Sequence, residues 1–515
     1  MEKSHVLTLT INLDEIKTLL KEHHLLKDIQ MGSAQTFSSV SYDSRTVKHK
    51  GLFFCKGNFK PHYLASAKEN GATGYVSEKF YPEGKGLTAI IVTDVQKAMA
   101  LLGAAYYNYP QDDLWVIAYT GTKGKTTSAY FTRSILQHTT HDRVAMSGTI
   151  ETFLGKGEKY KSQLTTPESL DIFKNMRQAV NNGMTIFVME VSSQAYLKNR
   201  VYGLKYDVGL FLNLTPDHIG PNEHPNFANY MYCAEQVLVN SRVCVINAET
   251  DHLSDIYQAA KSTTAPEDIY LFARMNSHPQ LPVSVDVQFR SLKDTLSANQ
   301  IVVRGMTNKA KRIPINGTYR LAMPGDYNES NATAATIASG LGGATPKEIY
   351  HGLEEVTVPG RMERYFSRRH GTVYVDYAHD YGSVHALLSF LRRENQAGRI
   401  IVVLGSTGDK GVDRRSGFGK ALSEHADVVF LTMDDPGFED PLKIAKEINS
   451  YINHRKVQVH FEMDRPKAIR EAIAMGKPHD MIVIAGKGRD PYQKIKGHNV
   501  PYATDAVIVQ KILKG

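Results

Sequence analysis

Eight apolar runs, each ending in a polar loop, constrain this chain more than any other feature. Four lie in the middle third: "LWVIAYT" (114–120), "MTIFVMEVSS" (184–193), "DVGLFLNLTPDH" (207–218) and "RVCVINAE" (242–249). Four more lie in the last third: "GTVYVDYAH" (371–379), "RIIVVLGSTG" (399–408), "DVVFLTMDDP" (427–436) and "MIVIAGKGRD" (481–490). Runs of this kind are apolar on both faces, and helical patterns such as 126–137 separate them. That alternation predicts parallel sheets covered by helices on both sides. Ligands of such sheets gather beyond the carboxyl ends of the strands, where the unusual residues of this chain fall.

The chain has 515 residues, enough for roughly two to four domains. The first ~110 residues read as a smaller mixed α/β unit. The polar, proline-containing "NYPQDD" suggests a boundary after it, and "VTVPGRME" suggests another. The expected domains are 1–112, 113–356 and 357–515. The net charge of +8 comes from 61 Lys+Arg against 53 Asp+Glu, without a dense basic run, which argues against nucleic acid. Cys55, Cys233 and Cys244 form no C-x-x-C pattern, so a reducing compartment is expected. No signal peptide and no run near the ~18 apolar residues of a membrane span is present, and the expected location is cytoplasmic.

"GTKGKTT" follows the first of these strands and precedes an amphipathic helix, the setting in which a phosphate loop is credible. Gly121 and Gly124 would let the backbone turn and, with Thr122 and Lys123, present N–H groups to phosphate. Lys125 would bridge the β- and γ-phosphates of ATP, and Thr126 or Thr127 would ligate Mg²⁺. The more usual loop has a glycine five positions before its Gly-Lys pair, where this chain has Tyr119. In "MEVSSQ", Glu190 ends a buried strand and can hold Mg²⁺ beside the phosphates.

The T-G-T-x-G-K-T-T form resembles the Mur ligase family, ATP-dependent amide-forming enzymes of peptidoglycan synthesis related to folylpolyglutamate synthetases. The resemblance runs over nearly the whole chain and is greatest to the branch that adds the third residue of the stem peptide. It implies three domains: an N-terminal mixed α/β domain for the UDP-sugar, a central P-loop-type parallel-sheet ATPase domain and a C-terminal Rossmann-like domain. It further implies that Lys125, Glu190 and His218 serve catalysis, with Thr126, Glu190 and His218 near the metal. Ser44, Thr165, Thr166, Ser192 and Arg200 would contact UDP-MurNAc-L-Ala-D-Glu. Asn328 and Asn331 would meet adenine, Arg361 a phosphate and Asp376 the ribose, with domain closure completing the site.

The same resemblance implies that Arg415 holds the α-carboxylate of the incoming amino acid, while the loop that carries Gly486 and Asp490 completes the pocket, with Asp490 receiving the α-amine. Asp434, Asp435, Pro436 and Gly437 match the motif that selects this amino acid. Enzymes using diaminopimelate carry arginine where Gly437 stands, and the local acidity favours a side-chain ammonium, lysine before ornithine. Asp440 and Pro441 read as a helix cap followed by a first-turn proline. One departure is Ala234, which occupies the place of a lysine that is carbamylated in many relatives. Either Glu235 replaces it, or a second metal binds weakly, or the chain is a divergent paralogue. The expectation is a monomeric, cytoplasmic ligase using ATP, Mg²⁺ and L-lysine, without nucleic-acid or membrane partners. A folylpolyglutamate-type ligase and a non-catalytic nucleotide-binding protein are the alternatives.

Overall fold

The computed structural model describes residues 9–32, 34–216, 219–220, 223–279, 281, 283–295, 299–409, 411–412 and 414–514. The chain separates into two compact units. One comprises residues up to 292 with 300–321 and 327–356; the other comprises 293–299, 322–326 and 357 onward.

The first unit holds two large sheets. A five-stranded sheet places Leu26–Gln30, Thr88–Val92, Ala72–Ser77, Gly51–Phe54 and Ser39–Ser41 side by side, parallel except for the first strand. Its last helix, Val95–Tyr106, packs on the helix Ser169–Asn181. Gly103 permits that approach, since a Cβ there would come within 2.9 Å of the Leu170 side chain. The second sheet has eleven strands. At its centre Trp115–Thr120 lies between Ile186–Glu190 and Tyr206–Phe211, all parallel. The chain goes outward to Val144–Ser147, returns to Ile186–Glu190, and crosses to Tyr206–Phe211 on the other flank. The loop after Thr120 therefore sits at a topological switch point, where a crevice opens between diverging connections.

In the second unit a six-stranded sheet runs Glu363–Ser367, Gly371–Asp376, Met481–Ala485, Ile400–Leu404, Val428–Leu431 and Gln458–Phe461, parallel except for the first. Ile400 to Leu404 are all buried. Each such aliphatic side chain contributes about 1.5–3 kcal/mol by leaving water, which explains why these strands carry no polar alternation. Asp440 accepts from Leu442 N and caps the helix Pro441–Ser450, with proline in its first turn, as the sequence predicts. Cys55, Cys233 and Cys244 are buried free thiols, joined in no disulfide. Among the described residues no helix is long and apolar enough to cross a membrane.

Candidate active site

Gly121 (φ +134°) and Gly124 (φ +87°) adopt left-handed backbone that a side chain would strain, and the helix Lys125–Thr140 starts directly after them. Gly124 is also pressed against Asn331, whose Oδ1 would lie 2.3 Å from an added Cβ. The Lys125 ammonium donates to the Gly121 carbonyl (2.5 Å) and the Thr122 carbonyl (3.3 Å), which holds it over the loop. Lys123 is clamped through its backbone: its N–H donates to Asn213 Oδ1 (2.8 Å), and Asn213 Nδ2 donates to its carbonyl (3.0 Å). The Thr122 hydroxyl is spent inward on Tyr230 OH (2.8 Å) and the Thr215 backbone. Its side chain therefore secures the loop.

Glu190 pairs in register with Tyr119, so its carboxylate emerges beside the loop. It is buried, at 1% exposure. The Thr126 hydroxyl donates to Glu190 Oε2 (2.9 Å), and Thr149 donates its N–H to Oε1 (2.7 Å) and its hydroxyl to Oε2 (3.0 Å). Gly148 makes room, since a Cβ there would stand 2.3 Å from Glu190 Oε1. Among the described residues Glu190 has no ion-pair partner. This all-oxygen pair, Thr126 and Glu190, suits a hard divalent cation such as Mg²⁺. Thr127 is buried in the first turn of the same helix. His218 lies outside the described residues.

The network continues outward. Thr165 Oγ1 is 3.0 Å from Thr149 Oγ1. The Thr166 hydroxyl donates to the Glu190 carbonyl (3.0 Å) and accepts from Ser192 N (2.9 Å). Arg200 donates to the Thr166 carbonyl (3.3 Å) and to Glu168 (3.2 Å), and Lys56 pairs with Glu168 from the other side (2.8 Å). A cavity of about 410 Å³ adjoins this group, lined in part by Tyr42, Ser162, Leu164, Pro167 and Asp171. Ser44 stands in the turn after Tyr42, half-buried, with its carbonyl accepting from Asn70 (3.0 Å). The structure thus brings Lys125, Thr126, Glu190, Thr165, Thr166, Ser192 and Arg200 into one connected region. Asn328 and Asn331 are buried within the helix Asp326–Leu341, and Asn331 meets the loop at Gly124. Ala234 is buried one helical turn after Tyr230. Burial, then the nearby Asp255, pushes the Glu235 carboxyl up to about 7, and its Oε1 has no hydrogen-bond partner.

In the second unit Asp376 ends its strand, buried, accepting from Met362 N (2.8 Å) and Ala378 N (2.7 Å). Burial raises its pKa, which nearby Arg361 opposes. Arg361 Nη1 is 4.0 Å from Asp376, and its guanidinium lies over the Tyr377 ring. Gly486 N donates to the Asp376 carbonyl (3.0 Å), and a Cβ at Gly486 would meet Asp434 at 2.5 Å. Asp434, Asp435 and Asp490 converge on the ammonium of Lys487, at 4.0, 2.7 and 3.3 Å. Burial disfavours that charge, but the three carboxylates outweigh it and hold the lysine above its ordinary pKa. Beneath them Arg465 and Asp505, both fully buried, form a two-point ion pair (2.8 Å each), completed by Tyr502 OH and Gly488 N. Arg415 is buried and ion-paired with Glu447 (2.6 Å) and Glu439 (2.8 Å). Gly437 has φ +60°, and its N–H donates to the Lys494 carbonyl (3.0 Å), with Pro436 preceding it at the tip of the loop.

Thr149, Asn213, Tyr230, Lys487 and the Arg465–Asp505 pair escape sequence reasoning. Asn213 and Lys487 do stand inside strand-end loops already singled out, one residue or a few from named positions.

Residues 119–339 match the Mur ligase middle domain, and 360–488 match the Mur ligase, glutamate ligase domain. UDP-N-acetylmuramyl-tripeptide synthetase of Ligilactobacillus salivarius (strain UCC118) is 58% identical over 499 residues, 96% of this chain and 98% of that one. UDP-N-acetylmuramoyl-L-alanyl-D-glutamate--L-lysine ligase of Enterococcus faecalis (strain ATCC 700802 / V583) is 45% identical over 520 residues, 98% of this chain and 99% of that one. A solved UDP-N-acetylmuramoyl-L-alanyl-D-glutamate--2,6-diaminopimelate ligase shares the fold, with a TM-score of 0.64 at 23% identity, covering 98% of this chain and 99% of its own. The sequence matches run along nearly the full length, and the protein belongs to the Mur ligase family.

Proposed function

We propose that this protein is an ATP-dependent amide ligase that joins L-lysine to the D-glutamate of UDP-MurNAc-L-Ala-D-Glu through an acyl phosphate. The single observation that carries the reading is the buried Glu190 carboxylate, hydrogen-bonded to Thr126 of the glycine loop and to Thr149, with Thr165 and Thr166 alongside. The names of the L. salivarius and E. faecalis relatives support the substrate, and the latter supports lysine.

In this reading residues 1–112 hold the UDP end, 113–356 the ATP and 357–515 the amino acid. Gly121 and Gly124 turn the loop, Asn213 holds the Thr122 and Lys123 N–H groups and so sets its shape, and the N–H groups of Gly124, Lys125, Thr126 and Thr127 at the helix start cradle the phosphates. The Lys125 ammonium swings from the loop carbonyls to the β- and γ-phosphates and offsets the charge that builds up during transfer. Thr126 and Glu190 would hold Mg²⁺, with His218, and the ion would supply Lewis-acid stabilisation of the phosphates. Thr165, Thr166, Ser192 and Arg200 orient the D-glutamate carboxylate for attack on the γ-phosphorus, and Ser44 meets the uridine end. Asn328 and Asn331 face adenine, Arg361 a phosphate and Asp376 the ribose.

The α-amine of lysine then attacks the acyl phosphate, forming the amide and expelling phosphate. Asp490 receives that amine beside Gly486. Arg415 takes the α-carboxylate in competition with Glu439. The loop of Asp434, Asp435, Pro436 and Gly437 favours a substrate with a second ammonium. The enzyme works as a cytoplasmic monomer, without nucleic-acid or membrane partners.

The test is ADP release by the purified chain with each substrate omitted in turn, followed by mass spectrometry of the product from mixed lysine, ornithine and diaminopimelate. ADP release is expected only when both the nucleotide dipeptide and lysine are present, with one lysine in the product. ADP release indifferent to the nucleotide dipeptide, or a product carrying diaminopimelate, overturns the reading.

A further inference from the structure

Away from the strand-end loops, the C-terminal unit carries another group of ligand-type side chains. His385 lies in the helix Tyr381–Glu394, and Glu424 and His425 end the helix Arg414–His425. The two helices follow the strands Gly371–Asp376 and Ile400–Leu404 of one parallel sheet and lie against each other. A Cβ on Gly417 would stand 2.7 Å from Tyr381 Cβ, which shows how close the helices run. This packing brings His385 Nε2 to 3.3 Å and His425 Nε2 to 3.9 Å from the same oxygen, Glu424 Oε2. All three ligand atoms lie within 4.8 Å of one another.

Around a tetrahedral cation with bonds of about 2.0–2.2 Å, neighbouring ligand atoms stand roughly 3.3–3.6 Å apart. His385 and Glu424 are at that spacing already, and small rotations bring in His425. The His425 nitrogen is buried and has no hydrogen-bond partner. At 3.9 Å from the carboxylate it is too far for a hydrogen bond, yet it is directed into the same cluster. Arg392, the cation beside the cluster, is committed to the His425 carbonyl and the Asp427 carboxylate.

We infer that His385, Glu424 and His425 bind one divalent transition-metal ion of the zinc class, with the fourth position left to water. Two imidazoles and one carboxylate favour Zn²⁺, Co²⁺ or Ni²⁺ over Mg²⁺. The site is therefore chemically distinct from the oxygen pair at Thr126 and Glu190 and does not depend on the ligase reading. Bound there, the ion ties the helix that begins at Arg414 to the helix that follows Asp376.

The full chain, stripped with a chelator and kept in excess Mg²⁺, is titrated with Co²⁺. One equivalent is expected to give the intense visible absorption of a four-coordinate site, bleached by Zn²⁺. His385→Ala and Glu424→Gln should each weaken binding by more than the roughly 10–100-fold that loss of a ligand's hydrogen-bonded support costs. Their metal-free circular dichroism and melting should match the parent, because both side chains are partly exposed. Wild-type protein that gives no such band, or variants that keep it at unchanged affinity, overturns the inference.

Discussion

Glu190 and the group Asp434, Asp435 and Asp490 both stand beyond the carboxyl ends of parallel strands, yet their charges are managed differently. Glu190 is held by two threonine hydroxyls and one backbone N–H, with no ion-pair partner among the described residues. The three aspartates share a buried lysine and rest on a closed Arg465–Asp505 pair. Neutral donors fix the position of a carboxylate while leaving its charge available. A built-in ammonium fixes position and charge together. The first arrangement leaves a full negative charge beside the glycine loop; the second leaves the aspartate group only partly neutralised by Lys487.

The comparison breaks most visibly at Lys125 and Glu190. Lys125→Ala or Glu190→Ala is expected to lower turnover at saturating substrate by about 10²–10³-fold or more, the scale of losing one transition-state stabiliser. An unchanged melting temperature would show that the loss lies in chemistry. If Lys125→Ala kept full turnover, the assigned role of the loop would fail. Next comes Asp505→Ala, which strands Arg465 in the interior and should cost roughly 3–5 kcal/mol, read in a denaturant titration. A cost below about 1 kcal/mol would mean that the pair is not what supports the aspartate loops.

A smaller effect sharpens the second half of the contrast. Lys487→Met leaves three carboxylates facing one another and should raise the KM for the amino acid about tenfold, near 1.4 kcal/mol, while the KM for ATP stays nearly constant. Equal rises in both constants would point to general loosening. Glu235 offers the smallest and most specific change. Its folded pKa of about 7 lies above the ordinary value of 4.5, so the stability its neutral form provides is intact below about 4.5 and is lost as pH rises through about 7. Glu235→Gln should therefore flatten that part of the pH–stability curve and gain on the order of 1–3 kcal/mol at pH 8. A variant no more stable than the parent at pH 8 would contradict this.

Much of the scaffold was legible because its signals are local. Ile400–Leu404 and Ile186–Glu190 are buried on both faces, as their unbroken apolar runs imply. The helix expected from 126 begins at Lys125, one residue earlier. Glu190 stood out because a carboxylate ending such a run needs a reason. Thr149 did not, because the short strand Val144–Ser147 before it resembles many loop segments. The clamp by Asn213 depends on Tyr206–Phe211 lying beside Trp115–Thr120, a neighbour relation that no local pattern encodes. Lys487 sits between two residues that were named, but its burial appears only when the loops from two different strands are brought together. Arg415 was legible as a cation; its two glutamate partners lie 24 and 32 positions away.

Met481–Ala485 comes last of the six sheet strands in the chain, yet it fills the gap between Gly371–Asp376 and Ile400–Leu404. During synthesis, a ribosome that has reached Phe461 has made five strands without the one that joins them. Two bare strand margins would then wait in the nascent chain, open to pairing with a neighbouring copy. Translation must run on past the middle strand before this half can close, which makes the interval of exposure a property of strand order and a place where a chaperone would act.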